Sequence, residues 1–256
     1  MNLLEVKNIT IKFGGLTAVQ DFNLNLQQGQ IVGLIGPNGA GKTTAFNAIT
    51  GIHKPTQGKV ILEGRDITGL MPDKITKLGI ARTFQNIRLF SNLSVLQNVL
   101  VGHHLRIKSS PLAATLHLPQ YIKEEKQMIE ETKELLKSVK LDDVQDEKAG
   151  SLPYGKQRRL EIARALATKP KILLLDEPAA GMNPQESQEL KEFIMHIRDE
   201  FNLTIFMIEH HMAVVMGVCE HILVLDHGIT IAQGTPEQIQ NDQKVIEAYL
   251  GVETDA

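Results

Sequence analysis

The spacing of hydrophobic residues predicts an antiparallel beginning, followed by a strand, a loop and a helix. Residues 3–9 and 19–26 alternate between polar and apolar positions, as half-buried strands do, and Gln28-Gly29 is a turn signal. Ile31 to Ile35 is a continuous apolar run, which is typical of a strand buried on both faces. A glycine-rich loop comes next, and a helical pattern then continues to about Gly51.

The second half of the chain alternates apolar strands with helices. The predicted strands are Ile172 to Asp176, Thr204 to Ile208 and Ile222 to Asp226. A helix from about Gln185 separates the first two, and a short helix separates the last two. This alternation predicts a largely parallel sheet covered by helices.

The middle of the chain has a helical pattern instead. Residues from Ser94 to roughly Leu141 are mostly predicted as helix, with an irregular break around Ser109 to Pro119. We find no internal repeat or linker, so this region is interpreted as a subdomain inserted into an α/β fold. We therefore predict one domain over residues 1–256, with an α/β core at about 1–90 and 165–256 and a helical subdomain at about 91–164.

Composition narrows the classes of partner. The 256 residues include 27 Lys plus Arg and 30 Asp plus Glu, and a net charge of −3 disfavours nucleic acid as a partner. The single cysteine, Cys219, lies in an apolar setting and fits a small buried side chain in a reducing cytoplasm. No signal-peptide pattern opens the sequence, and its apolar runs are far shorter than the roughly 20 residues that cross a bilayer. A membrane role would therefore need a partner.

One motif indicates phosphate binding. Gly36-Pro37-Asn38-Gly39-Ala40-Gly41-Lys42-Thr43 fits the pattern of Gly, four residues and Gly-Lys-Thr, between a predicted strand and a predicted helix. Its glycines let successive N–H groups face a phosphate, and the helix adds its positive N-terminal end. We expect Lys42 to neutralise the β- and γ-phosphates of a nucleotide and Thr43 to ligate Mg²⁺, and we include Thr44 among the nucleotide-binding residues. The loop alone does not show which class of enzyme this is, because kinases, GTPases, motors and transporters all carry it.

Two adjacent carboxylates supply the second half of the expected site. Asp176 and Glu177 follow a run of apolar residues, which argues against the alternative of a simple solvated turn. We expect Asp176 to hold Mg²⁺, directly or through water. Glu177 is placed to orient or deprotonate the attacking water, so both Glu177 and Lys42 are candidate catalytic residues.

Residues 152–166, Leu-Pro-Tyr-Gly-Lys-Gln-Arg-Arg-Leu-Glu-Ile-Ala-Arg-Ala-Leu, lie just upstream of this strand. With this segment the chain resembles the ATP-binding-cassette (ABC) ATPases from about Leu4 to Leu250. The resemblance implies a dimer with ATP at its interface, in which a signature loop contacts the γ-phosphate held by the other subunit. That loop is Leu152, Pro153, Tyr154, Gly155 and Lys156. It departs from the commonest Leu-Ser-Gly-Gly-Gln form, and Ser151 is a candidate cap for the helix that follows.

The resemblance assigns further roles. Gln85 is similar to the family glutamine that touches Mg²⁺ and the water and couples the site to the membrane subunit. His210 is similar to the switch histidine that donates to the γ-phosphate, which makes it a third candidate catalytic residue. Phe13 would stack on adenine. The alternative is that Phe13 is an aromatic residue of the core. The segment Ala180-Gly181-Met182-Asn183-Pro184 corresponds to the loop that meets the dimer mate.

Within the family, several segments most resemble the LivG-type subunits of bacterial branched-chain amino acid importers: residues 13–19, 89–95, 103–123, 178–184 and 234–251. ATPases for urea import or lipopolysaccharide export share much of this pattern. Cassette ATPases that do not serve transporters, and monomeric P-loop kinases or GTPases, are less favoured alternatives.

The resemblance also implies partners: a second ATPase subunit in a homo- or heterodimer, integral membrane permease subunits and a periplasmic or lipid-anchored substrate-binding protein. The protein would then be peripheral, on the cytoplasmic face of the cell membrane. A groove beside Gln85, with Leu89, Phe90 and Leu93, is expected to receive a helix of the membrane partner.

Overall fold

The computed structural model describes residues 2–106, 109 and 118–250. Its strands are β1 (Asn2–Phe13), β2 (Leu16–Gln27), β3 (Ile31–Ile35), β4 (Gln57–Leu62), β5 (Arg65–Asp66), β6 (Ile80–Arg82), β7 (Ile172–Asp176), β8 (Thr204–Ile208), β9 (His221–Asp226) and β10 (Ile229–Gly234). Its α-helices are α1 (Lys42–Ile49), α2 (Pro72–Leu78), α3 (Val95–His103), α4 (Pro119–Ser138), α5 (Tyr154–Leu166), α6 (Pro184–Glu200), α7 (Met212–Val218), α8 (Pro236–Gln240) and α9 (Gln243–Leu250).

The chain divides into two compact units, Met1–Ile75 with Lys171–Ala256, and Thr76–Pro170. In the first unit, an antiparallel sheet has the strand order β2-β1-β4-β5. Strands β1 and β2 extend beyond the predicted 3–9 and 19–26, because they pair as far as Phe13 opposite Leu16. Irregularities in the register, such as the one between Val6 and Ile9, break the alternation by which a strand is recognised from sequence.

A second sheet of the first unit contains the predicted parallel strands. Strand β3 lies between β8 and β9 and is parallel to both, and β7 is parallel to β8. Every residue of β3, β7 and β8 is buried, as expected for strands with both faces covered. Strand β10 pairs antiparallel with β9; it was not predicted, because most of its residues are partly exposed and carry little apolar signal. The α/β fold class with an antiparallel subdomain is confirmed.

The second unit is mainly helical: it contains α3, α4 and α5 together with the short strand β6. Helix α3 packs closely on α5: a Cβ on Gly102 would lie 2.5 Å from the carbonyl oxygen of Arg164, so only glycine allows this approach. The unit starts at Thr76, earlier than the expected 91, because the segment around Phe84 is hydrogen-bonded to α5. The expected break around 109–119 lies mostly outside the described residues. Within residues 2–106, 109 and 118–250, no helix is long and apolar enough to span a membrane.

Candidate functional site

The phosphate-loop lysine is held inside its own loop. Helix α1 begins at Lys42, directly after Gly41, which has a φ of 98°. The Lys42 side chain turns back, and its Nζ donates to the carbonyl oxygens of Gly36 at 2.7 Å and Pro37 at 2.8 Å. Burial lowers the pKa of Lys42, and the Glu177 and Asp176 carboxylates oppose that shift. Two negative groups of the site therefore lie close enough to favour the charged lysine.

The first glycine of the loop lies against another strand. Gly36 has a φ of 148°, and a Cβ at this position would lie 1.9 Å from the carbonyl oxygen of Leu225 at the end of β9. The Gly36 N–H donates to the Tyr249 hydroxyl of α9 at 2.9 Å. Burial raises the pKa of Tyr249, so this hydroxyl stays neutral. Sequence reasoning did not find Tyr249, because no local pattern links residues so far apart.

The carboxylates lie where the sequence expects them, at the end of a buried strand. Asp176 is 4% exposed and ends β7. Glu177 has a φ of 47°, which non-glycine residues seldom adopt, and its N–H donates to the carbonyl oxygen of Ile208 at 2.9 Å. Its Oε1 lies 2.7 Å from Nε2 of His210. The tertiary structure therefore brings two of the candidate catalytic side chains into direct contact.

Most of the predicted nucleotide-binding residues line a cavity of about 490 Å³. From the phosphate loop and α1 it is lined by Asn38, Gly39, Ala40, Gly41, Lys42, Thr43 and Thr44, and from the catalytic side by Glu177 and His210. Four lining residues were not predicted: Leu16, Thr17, Ala18 and His227. The volume is in the range of small-molecule sites.

Phe13 is not among the residues that line this cavity. Its side chain is about half exposed, and its ring meets the His53 ring edge-on with centroids 5.2 Å apart. Adenine stacking by Phe13 therefore stays a prediction. An exposed ring at the end of β1 excludes the alternative of a core aromatic residue.

The residues near the phosphate loop fit a magnesium ion that arrives with a nucleotide. Within the described part of the chain, no group of three or more His, Cys, Asp or Glu side chains could hold a metal ion by itself. Mg²⁺ does not need such a group, because it binds through one or two carboxylates together with substrate phosphates. The exposed Thr43 on the cavity wall and the Asp176 carboxylate near Lys42 supply oxygen ligands of this type.

The signature segment and Gln85 both belong to the second unit. Helix α5 begins at Tyr154, with Pro153 as its N-cap residue and no side-chain cap. The suggested capping role of Ser151 is wrong, because Ser151 lies in a 3₁₀ turn and its hydroxyl donates to the Lys148 carbonyl oxygen at 2.8 Å. The first N–H groups of α5 are therefore not occupied by a Ser151 cap.

Arg158 ties the Gln85 segment to the signature helix. Its guanidinium, fully buried, donates to the carbonyl oxygens of Phe84 at 2.8 Å and Gln85 at 2.9 Å. It also donates to the Tyr154 hydroxyl at 3.2 Å. Tyr154, which departs from the common family form, therefore contributes a hydrogen bond that the usual glycine could not make. Sequence reasoning included Arg158 in the segment but gave it no role.

Glu209 is a further residue that sequence reasoning missed. It precedes His210, is 1% exposed, and its carboxylate accepts N–H groups from two different loops. The signal in the sequence was a glutamate that directly follows the apolar strand Thr204–Ile208 and precedes a candidate catalytic histidine.

The loop expected to meet the dimer mate ends in a helix cap. Asn183 Oδ1 accepts from the Glu186 N–H at 3.0 Å, and Glu186 returns a bond to the Asn183 N–H at 2.9 Å. Asn183 thus starts α6 through a capping box, a role that Asp or Asn can fill.

Comparisons with known proteins show which family this chain resembles. A family model described as "ABC transporter" matches residues 19–180, and one described as "Branched-chain amino acid ATP-binding cassette transporter" matches residues 230–255. The high-affinity branched-chain amino acid transport ATP-binding protein BraF of Pseudomonas aeruginosa is 47% identical over 97% of this chain and 98% of its own length. The corresponding protein LivG of Escherichia coli is 45% identical, with the same coverage.

Solved structures of ATP-binding cassettes share the fold of this chain. The ADP conformation of an ATP-binding cassette of an ABC transporter superposes with a TM-score of 0.86 at 34% identity, covering 98% of this chain and 100% of that one. A dimeric post-hydrolysis cassette bound to ADP and phosphate gives a TM-score of 0.74 at 27% identity, covering 91% of this chain and 98% of that one.

Proposed function

Because this chain belongs to the ABC transporter family of ATP-binding cassettes, we propose that it is the ATPase subunit of a branched-chain amino acid importer. ATP hydrolysis for transport is the activity of its family. The cargo is supported by two relatives named for branched-chain amino acid transport, each 45% or more identical over nearly the whole chain. The family-model match at residues 230–255 carries the same description.

The observation that carries the nucleotide chemistry is one cavity shared by Lys42, Glu177 and His210. On binding ATP, Lys42 would leave the Gly36 and Pro37 carbonyl oxygens for the phosphates, which are better partners for a buried cation. Glu177 would orient or deprotonate the attacking water, and His210 would donate to the γ-phosphate. Thr43 and Asp176, with Gln85 as a further predicted ligand, would hold a Mg²⁺ ion that supplies positive charge to the nucleotide phosphates.

We also propose a pair of cassettes as the working form, since Tyr154 and Gly155 of the signature loop are both at least partly exposed. Residues Leu152 to Lys156 would contact ATP held by the partner cassette, and a structural relative at 27% identity is described as dimeric. Gly155 is partly exposed, and nothing lies within 4 Å of a Cβ built on it, so this position has room for another molecule.

We propose that the cassette docks on integral membrane permease subunits. Phe90 is 50% exposed, and Leu89 and Leu93 are partly exposed, which supports docking of a membrane-partner helix at this point. The ATPase would then be peripheral on the cytoplasmic face of the cell membrane, with a periplasmic or lipid-anchored binding protein delivering cargo. Crosslinkers placed at Leu89 and Phe90 should capture a membrane protein, and failure at both positions would contradict this docking site.

The cargo is tested in the assembled transporter in proteoliposomes, with its binding protein present. Leucine, isoleucine or valine should stimulate ATP hydrolysis and enter the vesicles, and urea should do neither. Stimulation by urea alone would instead support the related urea importers.

Pairing is tested separately by the dependence of ATPase rate on protein concentration. The rate per subunit should rise with concentration, and Gly155→Asp should abolish it while the isolated subunit still binds ATP. A rate that neither dilution nor this substitution changes would support a monomeric P-loop enzyme.

A further inference from the structure

One buried carboxylate joins two loops of the hydrolysis site. Glu209 Oε1 accepts the N–H of Ala179 at 2.7 Å, and Oε2 accepts the N–H groups of His210 at 2.6 Å and His211 at 2.9 Å. Ala179 belongs to the loop after β7, whereas the two histidines follow β8. A single side chain therefore connects these two loops.

This position requires a carboxylate rather than any polar group. Three N–H groups converge on Glu209. A carboxylate is the common side chain group in which both oxygen atoms only accept hydrogen bonds. Its burial at 1% exposure would be costly without such partners, and charge-assisted bonds of this kind are stronger than neutral ones. A glutamine here would place an NH₂ group against at least one N–H, so that two donors would face each other.

The hydrogen bonds of Glu209 affect the reacting groups through His210. Its backbone is fixed by Glu209, and its ring Nε2 lies 2.7 Å from Glu177 Oε1. On the other side, Ala179 is followed by Ala180-Gly181-Met182-Asn183, the segment that would meet the second cassette. A contact between this segment and the second cassette would shift Ala179, and the Ala179 N–H would pass that shift to the Glu209 carboxylate.

We propose that Glu209 is a positioning residue for ATP hydrolysis: it holds the His210 ring against Glu177 and links that contact to the loop that begins at Ala179. This inference rests on the proposed function, since it assigns to Glu209 the placement of a group that acts on the γ-phosphate. Glu209 itself is not among the residues that line the cavity.

The first test compares the full-length Glu209→Gln variant with a matched control, Glu220→Gln. Glu220 is exposed and pairs with Arg198 at the surface, so its substitution should leave turnover unchanged. We expect Glu209→Gln to lower kcat by about 10- to 100-fold, the scale of a catalytic group displaced by about 1 Å, with the KM for ATP within about twofold. An unchanged kcat in a folded protein would overturn the proposal.

A double-mutant cycle separates positioning from general structural damage. If Glu209 acts through His210, Glu209→Gln should lower single-turnover hydrolysis by less than about twofold when His210 is already alanine. A full additional loss in that background would show an independent structural role and overturn the inference. If Glu209→Gln does not fold, Glu209→Asp, which keeps the charge on a shorter side chain, is carried through the same cycle.

The same cycle distinguishes this inference from the proposed function. Normal turnover in a His210→Ala variant would show that His210 has no role in hydrolysis. The positioning role of Glu209 would then be rejected as well. Slow turnover in His210→Ala together with normal turnover in Glu209→Gln would reject only the positioning role.

Discussion

Arg158 and Glu161, one turn apart on α5, form an ion pair that is closed off from solvent. Arg158 Nη1 lies 2.9 Å from Glu161 Oε2, and their side chains are 0% and 1% exposed. Both partners also bind the segment that carries Gln85: Arg158 through the Phe84 and Gln85 carbonyl oxygens, and Glu161 Oε1 through the Arg88 N–H at 3.2 Å. The pair therefore fixes the backbone on both sides of Gln85.

Removing one partner of this pair should cost more stability than replacing both. We expect Arg158→Met to lower the free energy of unfolding by about 3–5 kcal/mol, because Glu161 is left as an unpaired buried charge. Adding Glu161→Leu should recover part of that loss, although the Phe84 and Gln85 carbonyl oxygens stay without their donor. Urea denaturation of the two variants measures the difference, and a double variant less stable than Arg158→Met would contradict it.

Glu177→Gln should abolish turnover but keep ATP binding. The amide retains the size of the side chain but cannot take a proton from water, so ATP should hold two cassettes together. Phosphate release and size-exclusion chromatography with ATP and Mg²⁺ test both results. Glu192→Gln, on the exposed face of α6, is the control and should behave as wild type. Turnover near the wild-type rate in Glu177→Gln would remove this residue from its role.

Gly36→Ala should prevent nucleotide binding. Its Cβ would lie 1.9 Å from the Leu225 carbonyl oxygen, and the φ of 148° is unsuited to alanine, so the phosphate loop or β9 must move. In the isolated subunit, Gly155→Ala is the matched control, since open space surrounds its Cβ. Titration with a fluorescent ATP analogue should show lost binding only for Gly36→Ala; equal binding by both variants would contradict the geometry.

Tyr249→Phe should weaken ATP binding modestly. The substitution removes the hydroxyl that accepts the Gly36 N–H, and one hydrogen bond contributes about 0.5–1.5 kcal/mol. The Kd for ATP should therefore rise by a factor of about 2 to 12, since 1.4 kcal/mol corresponds to tenfold. Tyr121→Phe, in the second unit, serves as the control. An unchanged Kd would mean that α9 does not contribute to the conformation of the phosphate loop.

The Cys219 thiol should be inert in the native protein. Burial raises its pKa from 9.0 to about 12, and Glu209 and Glu220 add to the shift. Maleimide at pH 8 should therefore label Cys219 only after unfolding in urea. Fast labelling of the folded protein would contradict its burial.

The same pKa shift predicts a pH dependence of stability. The unfolded thiol ionises first, so the contribution is complete below pH 9 and is lost as the pH rises towards 12, by about 1.4 kcal/mol per pH unit. Comparison of wild type with Cys219→Ala isolates this contribution, because all other groups titrate in both proteins. Parallel stability curves for the two proteins above pH 9 would contradict it.

The sequence by itself determined the local parts of the site. The phosphate loop is recognisable because its glycines, Lys42 and Thr43 are adjacent in the chain and lie between a buried strand and a helix. Asp176 and Glu177 are recognisable because the four preceding residues of strand β7, Ile172 to Leu175, are all apolar. Such patterns depend only on neighbouring residues, and the parallel sheet follows from repeated strands and helices.

The tertiary structure alone decided which distant groups support those parts. Tyr249 reaches Gly36 across 213 positions, Arg158 reaches Phe84 across 74, and Glu209 reaches Ala179 across 30. Each bond joins a side chain to a backbone group, and backbone groups are identical along the chain, so the sequence does not mark which of them is the partner. Only the path of the folded chain brings the two ends together.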